Sequence, residues 1–199
     1  MGRRSDHTPQ ELRALLIAEG HGLLAEQGLA RFSGREVAKR AGYSIGTIYN
    51  VFGSLDRLIV ALNSHTFTLW AEFLRVRLRH GGEDRIKSLV EAYFAFALAH
   101  PNLWSAIYDH RLAEGEELGE ADREQRARLT AIVEEEVRAA LPIPDMPEAA
   151  RFARSLIATV HGHCSYVVTG TFALLEEPDP VGSALSRVRE CLAARLERP

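Results

Sequence analysis

Residues 161–166 read HGHCSY, a polar run inside an otherwise apolar helical pattern. His161 and Cys164 are about one helical turn apart, so one interpretation is a metal site, with Asp109 or His110 as a further ligand. A closed zinc site needs about four well-defined ligands, and this spacing supplies only two. We therefore favour a hydrogen-bonded histidine or a polar group in a pocket, and we predict no metal and no other cofactor.

A second polar set has chemistry suited to DNA. Residues 33–53 read SGREVAKRAGYSIGTIYNVFG, the pattern of two short helices joined by a glycine turn at Gly42. Ile48 and Phe52 are the apolar anchors of the second helix. Hydroxyls and helix N-terminal amides bind phosphate, and an asparagine can also reach a base edge. The outward side of the second helix carries such groups: Ser44, Gly46, Thr47, Tyr49 and Asn50.

Helix start and stop signals recur along the chain, and no segment alternates for long as a strand does. Thr8-Pro9-Gln10-Glu11 combines a capping box with a proline at the first helical position, and Gly28 ends that helix. Ser44 has the residue type of a helix cap. Two long apolar helices close the chain, one over about residues 148–175 and one from Asp179-Pro180. These patterns predict an all-α fold of about nine helices.

Composition narrows the class of protein. Hydrophobic residues make up 46% and charged residues 26%, which is ordinary for a globular chain. There is no run of 18 apolar residues and no apolar signal at the N-terminus, so we expect no membrane partner. Two cysteines form no disulfide framework, which favours the cytoplasm. The absence of a nucleophile elbow, a phosphate loop or a firm metal motif argues against an enzyme.

Charge is distributed unevenly along the chain. Residues 1–62 hold eight Lys and Arg against six Asp and Glu, whereas the remainder holds 16 against 21. A net positive charge on the N-terminal part and a net negative charge on the rest suit an N-terminal part that binds phosphate, although the excess of positive charge is small.

Residues 10–62 resemble the TetR/AcrR family of transcriptional regulators. The resemblance implies a three-helix DNA-binding domain over residues 1–54 and a helical ligand-binding and dimerisation domain over residues 55–199. The matching residues are Gly28, Phe32, Ser33, Arg35, Val37, Ala38, Ala41, Gly42, Tyr43, Ser44, Gly46, Thr47, Ile48, Tyr49, Phe52 and Ser54.

The resemblance also implies the DNA contacts. One departure concerns Leu55, where the family usually carries a lysine that contacts phosphate; that contact is either missing or supplied by Arg57 or the Ser54 amide. For Ser33 and Ser54 we favour helix capping over DNA contact. The expected set is Arg3, Arg4, Ser33, Arg35, Lys39, Ser44, Ile45, Gly46, Thr47, Tyr49, Asn50 and Ser54.

The larger domain carries weaker signals. Eleven of the fifteen aromatic residues lie beyond residue 62, where they either line a ligand cavity or pack a core. We expect the ligand at Trp70, Phe73, Tyr93, Phe94, Trp104, Tyr108, His110, His161 and Tyr166. As in the family, the last two helices are expected to pair in a homodimer through Phe152, Leu156, Val181, Leu185, Val188 and Leu192.

His161-Gly162 and residues 101–111 resemble a TetR subgroup with a Trp-His-Gly signature, but the turn before His161 holds Ile157 instead of tryptophan. The implied function is a repressor that a small molecule releases from a palindromic operator in double-stranded DNA. Two alternatives stay open: a ligand-sequestering or scaffold protein with weak DNA binding, and, far less favoured, an enzyme that uses Asp109, His110 or His161.

Overall fold

A computed structural model describes residues 7–141 and 146–197. Within these ranges the chain is all-α, as predicted, and contains no strand. The described residues form ten α-helices where about nine were expected, and the additional one is the four-residue α9. The helices are α1 Pro9–Gln27, α2 Gly34–Arg40, α3 Ile45–Phe52, α4 Leu55–His80, α5 Arg85–Ala99, α6 Pro101–Asp109, α7 Glu120–Ala140, α8 Met146–Val168, α9 Thr171–Leu174 and α10 Pro180–Leu196; a 3₁₀ turn spans Leu29–Arg31.

The predicted start of α1 is confirmed. Thr8 caps the helix by accepting a hydrogen bond from the Glu11 amide, and the Glu11 side chain accepts one from the Thr8 amide. These two bonds satisfy N–H groups that have no partner inside the helix. At the other end Gly28 has φ 72°, a conformation open to glycine, and there the helix stops.

The prediction for the helix over residues 148–175 is wrong at its carboxyl end. Helix α8 ends at Val168 because Gly170 adopts the left-handed conformation, with φ 75°. This glycine forms the turn between α8 and α9. The predicted start of α10 is confirmed: Pro180 is its first residue, and Asp179 accepts a hydrogen bond from the Gly182 amide.

The chain divides into two compact units. The first, here called the head, comprises Met1–Phe67 and His100–Gln125, and the second, here called the body, comprises Thr68–Ala99 and Arg126–Pro199. Helix α6 therefore belongs to the head, although it follows the body helix α5 in sequence. Helices α4 and α7 each contribute residues to both units.

One apolar core holds the head together. Leu16 and Leu23 of α1, Val37 of α2 and Ile48 of α3 are fully buried in it, and α4 and α6 contribute further residues. The Asn102 side chain of α6 also donates a hydrogen bond to the Ala25 carbonyl of α1, at 2.7 Å. Helices α2 and α3 thus pack on a core that includes α6, a segment from the middle of the chain.

The body is a bundle in which α8 packs on α10 and both contact α5. One of its long-range polar links is made by Arg85, which bonds twice to the Glu136 carboxylate of α7 and donates to the Leu78 carbonyl of α4. Glu136 is only 7% exposed.

Among the described helices, none is long and apolar enough by itself to cross a membrane. Helices α3 and α4 meet that criterion only as a pair, with a 72° bend between them.

Candidate nucleic-acid interface and ligand cavity

Helices α2 and α3 form the predicted helix-turn-helix. Ser33 caps α2 by accepting a hydrogen bond from the Glu36 amide, and Gly42, with φ 80°, makes the turn into α3. Ile48 is fully buried and fixes α3 on the head core, while Phe52 is half-buried against the same core. Gly53, with φ 84°, ends the helix.

The opposite side of α3 is exposed. Ser44, Gly46, Tyr49 and Asn50 all lie on the surface, and the Tyr49 side chain is 53% exposed. Thr47 is intermediate. Ser44 occupies the cap position, yet its hydroxyl makes no capping hydrogen bond, contrary to its expected role. An uncharged surface of hydroxyl and amide groups is therefore presented by a helix whose other side is anchored.

Three residues in the expected DNA-contact set have structural roles. Ile45 is half-buried and packs against the head core. Ser33 caps α2, and Ser54 caps α4 by accepting a hydrogen bond from the Arg57 amide at 3.1 Å. The capping interpretation that we favoured for both serines is thus realised in their geometry.

Two cations of α2 stand beside this surface. Arg35 and Lys39 are both exposed, and the Nζ atom of Lys39 lies 3.8 Å from a carboxylate oxygen of Glu36. Arg40 differs, because it makes a two-pronged ion pair with Glu26 at 2.7 and 3.0 Å. That pair raises the pKa of Arg40 and lowers the pKa of Glu26. Arg3 and Arg4 lie outside the described residues.

Leu55 and Arg57 are the residues that bear on the lysine of the family pattern. Leu55 is half-buried, and its Cδ1 lies 2.9 Å from where a Cβ on Gly34 would stand. Leu55 is therefore a packing residue. Arg57 donates to the Glu117 carbonyl at 2.8 Å and pairs with the Glu116 carboxylate at 3.1 Å. Its guanidinium is therefore held by the acidic loop.

The body contains an apolar cavity of about 420 Å³, including the part open to solvent. Helices α4, α5, α7, α8 and α10 all contribute to its wall. The lining residues are Leu74, Ile86, Leu89, Val90, Tyr93, Val133, Val137, Leu156, Ile157, Val160 and Val188. Sequence reasoning singled out few of these, because a lining leucine or valine has the same helical spacing as a core one.

Tyr93 carries the polar group of that lining. Its hydroxyl lies 3.1 Å from Nδ1 of His161 on α8, and its ring meets the Trp70 ring edge-on at a centroid distance of 4.8 Å. Trp70 in turn stacks on Phe96. Burial lowers the pKa of His161, which favours its neutral form. Of the expected ligand residues, Tyr93 and His161 are thus in contact with each other, and Tyr93 lines the cavity.

The other expected ligand residues lie elsewhere. Trp104, Tyr108 and His110 belong to the head, where the Trp104 and Tyr108 rings are in contact and His110 bonds to Asp56 at 3.1 Å. Within the body, Trp70 and Phe94 are core residues. Phe73 contacts Phe96 and Arg77, and Tyr166 is 47% exposed beside Phe172.

No metal cluster forms within the ranges 7–141 and 146–197: no three His, Cys, Asp or Glu side chains there come together as ligands. Burial raises the pKa of the Cys164 thiol to about 12, so it is protonated, whereas metal binding needs the thiolate. His161 Nδ1 lies within hydrogen-bond distance of the Tyr93 hydroxyl.

The expected dimer residues are largely used within one chain. Leu156 of α8 and Leu185, Val188 and Leu192 of α10 are buried where these helices pack on their own neighbours. Phe152 and Val181 are half-buried.

Two family models match this chain. Residues 16–62 match the model for bacterial regulatory proteins of the tetR family, and residues 86–188 match the tetracyclin repressor-like C-terminal domain. The chain belongs to the TetR family. It is a DNA-binding transcriptional regulator with a helix-turn-helix head and a TetR-type C-terminal domain. No curated protein matches it in sequence.

Solved structures share this TetR fold at low identity. A protein of unknown function from Rhodococcus sp. RHA1 has a TM-score of 0.74 and 22% identity, covering 98% of this chain and 100% of its own. A TetR transcriptional regulator from the same organism has a TM-score of 0.66 and 22% identity, with coverages of 96% and 99%. RolR in complex with resorcinol has a TM-score of 0.65 and 16% identity, with coverages of 96% and 95%.

Proposed function

We propose that this regulator is a repressor that binds a palindromic operator as a homodimer and leaves it when a small molecule enters the body. The exposed face of α3, in a head that matches the tetR family model, carries the proposal. No catalytic step is part of it. Because its target is chromosomal DNA, we place its action in the cytoplasm.

The proposed DNA contacts come from two helices. Five residues at the start and on the exposed side of α3 enter the major groove or contact its edge, since they supply hydroxyl, amide and backbone N–H donors. They are Ser44, Gly46, Thr47, Tyr49 and Asn50. Arg35 and Lys39 of α2 approach the phosphates. Ile45, Ser33 and Ser54 support the helices and are left out of the contact set.

The proposed dimer face is the exposed stripe of α8. Its members are spaced three or four residues apart, and the side chain of Leu156 on the opposite side is buried in the body. Nothing lies within 4 Å of where a Cβ on Gly162 would stand, so a partner helix has room to approach. The stripe comprises Arg151, Ser155, Ala158, Gly162 and Tyr166. Two recognition helices related by a two-fold axis then reach successive major grooves, about 34 Å apart.

The proposed effector site is the cavity in the body. The wall helix α5 continues into α6 after one intervening residue, and α6 supplies Leu103 and Ala106 to the head core. A ligand that displaces α5 therefore acts on the head through the chain itself. The ligand needs only to prefer the conformation that cannot bind DNA. RolR, a neighbour in fold, has been crystallised with a small phenol, resorcinol.

The direct test is a mobility-shift assay with DNA from upstream of the gene and of its neighbours. We expect a discrete complex on one fragment, and its affinity should fall by about a thousandfold or more between 50 and 200 mM salt if six or more phosphates are contacted. Equal binding to every fragment at all salt concentrations would contradict the proposal.

A further inference from the structure

The body has a second recess, an open groove between α4 and α7 beside the first residue of α5. Its volume is about 380 Å³, within the range of about 300–1,000 Å³ that small-molecule sites occupy. Four arginines line it: Arg75 and Arg79 of α4, Arg85 of α5 and Arg128 of α7. No charged side chain is among the described residues that line the apolar cavity, so the two sites suit different ligands.

Helical spacing explains how α4 and α7 present charged side chains to this groove. Arg75 and Arg79 lie four residues apart and share one side of α4. Arg128 and Glu135 lie seven residues apart, about two turns, and share one side of α7. The groove therefore lies between a face of α4 with two arginines and a face of α7 with one.

Two of the four arginines have carboxylate partners within the protein. Arg85 is neutralised by Glu136, whose carboxylate accepts two hydrogen bonds from it. Arg79 pairs at 3.3 Å with Glu72, which does not line the groove. Both of these positive charges are therefore at least partly compensated before any ligand arrives.

Arg75 and Arg128 carry the uncompensated charge. Both are exposed, and neither forms an ion pair with a carboxylate of residues 7–141 or 146–197. Glu135 is the remaining carboxylate of the groove, and it sets one negative charge against these two positive ones. Like charges that share one groove repel each other, and an oxyanion bound between them removes that repulsion.

The side chains of the groove suit one class of ligand. The planar fork of an arginine donates two parallel hydrogen bonds to a carboxylate or phosphate group. Beside the arginines, the groove is lined by the buried side chains of Leu78 and Ile132. A ligand that matches both features has an oxyanion joined to a compact apolar part.

We propose that this groove binds a small molecule with a phosphate or carboxylate group, which Arg75 and Arg128 hold while an apolar part lies in the same groove. Duplex DNA does not suit the groove, because Glu135 and Glu136 line it and repel successive phosphates. The inference goes beyond the proposed function, since no step of it depends on DNA binding or on the apolar cavity.

The test compares three probes that share one ring and differ in the attached group: phenyl phosphate, benzoate and benzylamine. Inorganic phosphate is a fourth probe, without the ring. Binding to the full-length protein at pH 7.5 is measured by calorimetry and by the shift in Tm, at constant ionic strength. We expect phenyl phosphate to bind at least tenfold more tightly than benzoate, because it carries about two charges instead of one. It should bind about threefold more tightly than inorganic phosphate, which lacks the apolar part, and benzylamine should not bind.

Three variants locate the bound probe. Arg75→Gln and Arg128→Gln each remove one proposed contact and should weaken the binding of phenyl phosphate by about tenfold. Glu135→Gln removes a negative charge from the groove and should tighten binding by about two- to threefold. Arg77→Gln is the matched control, because Arg77 lies two residues from Arg75 on the same helix, over the Phe73 ring, and does not line this groove. It should bind phenyl phosphate as the wild type does.

Three results would overturn the inference: no saturable binding of phenyl phosphate below about 5 mM, equal binding of benzylamine, or wild-type affinity in folded Arg75→Gln and Arg128→Gln proteins. DNA binding is measured separately in the same proteins. If Arg75→Gln weakens DNA binding while phenyl phosphate does not bind, the groove belongs to DNA and the inference fails. If no form of the protein binds DNA but phenyl phosphate binds as described, the proposed function fails while the ligand class of the groove stands.

Discussion

At the scale of single residues, Leu55 is the position at which this chain departs from the TetR pattern. The TetR pattern places a lysine here, and this chain places a half-buried leucine against Gly34 and Ile45. Arg57 is held by Glu116 and the Glu117 carbonyl. The head therefore meets DNA with fewer free cations at the start of α4 than the family pattern supplies.

Leu55→Lys should restore that contact. We expect the slope of log affinity against log salt to steepen by about 0.9 for each protomer, and the free energy of unfolding to fall by about 1 kcal/mol as apolar packing is lost. Both are measured by DNA titrations at several salt concentrations and by urea unfolding. Leu98→Lys, at an exposed position of α5, is the control, and an unchanged slope in Leu55→Lys would refute the assignment.

His21 gives the head a dependence on pH. Burial, together with the nearby His65 and His100, lowers the pKa of His21 to about 4, and its Nε2 lies 3.1 Å from the Thr66 hydroxyl. Between the unfolded pKa of about 6.5 and the folded one, the unfolded chain takes up the proton first. Stability is therefore fully present above about pH 6.5 and falls as the pH drops towards 4.

In His21→Gln this loss should disappear. After allowance for partial exposure, we expect the wild type to lose about 2 kcal/mol more than the variant between pH 7 and pH 4.5, as measured by urea unfolding. His80→Gln, at an exposed histidine, should behave like the wild type. Identical pH profiles for His21→Gln and the wild type would show that this histidine does not titrate as described.

Sequence reasoning predicted the polar residues of the proposed DNA-binding face and of the proposed effector site better than the apolar ones. Tyr49 and Asn50 stand on the surface, and the Tyr93–His161 pair could be suspected because polar groups are unusual within apolar helices. The aliphatic wall of the cavity could not be anticipated, since Val160 facing a void and Val160 facing a core leave the same pattern. Trp104 and His110 were expected to bind the ligand in the body, but they belong to the head. The sequence could not show this, because only the tertiary fold assigns the segment that holds them to the head.

At the scale of elements, local chemistry predicted most helix ends. Thr8 and Asp179 cap their helices as their residue types indicate. The end of α8 was missed because apolar residues continue through α9, and the left-handed turn at Gly170 interrupts the helix without interrupting the apolar pattern.

Arg85 of α5 and Glu136 of α7 form an ion pair. We expect the loss of Arg85 alone to destabilise the protein more than the loss of both residues. Arg85→Met leaves a buried carboxylate without its partner and should cost about 2–3 kcal/mol, whereas Arg85→Met combined with Glu136→Met should recover most of that loss. Urea unfolding measures both. Arg187→Met removes an exposed pair with Glu190 and should change stability by less than about 0.5 kcal/mol. Additive effects of the two Met substitutions would contradict this account.

At the scale of the whole molecule, the proposed function depends on two copies of the chain. Ala158→Arg places a charge in the middle of the proposed stripe on α8 and should shift the protein from dimer to monomer in sedimentation-velocity runs at micromolar concentration. Ala127→Arg, at an exposed position of α7, is the matched control and should remain dimeric. A dimeric Ala158→Arg protein would place the interface elsewhere.

The central claim is that the exposed face of α3 grips duplex DNA. The most direct measurement is a fluorescence-anisotropy titration of the upstream fragment with wild type, Tyr49→Ala and the control Tyr108→Ala. We predict that Tyr49→Ala weakens binding at least tenfold, and that Tyr108→Ala leaves it within twofold. Wild-type affinity in a folded, dimeric Tyr49→Ala protein would contradict the account.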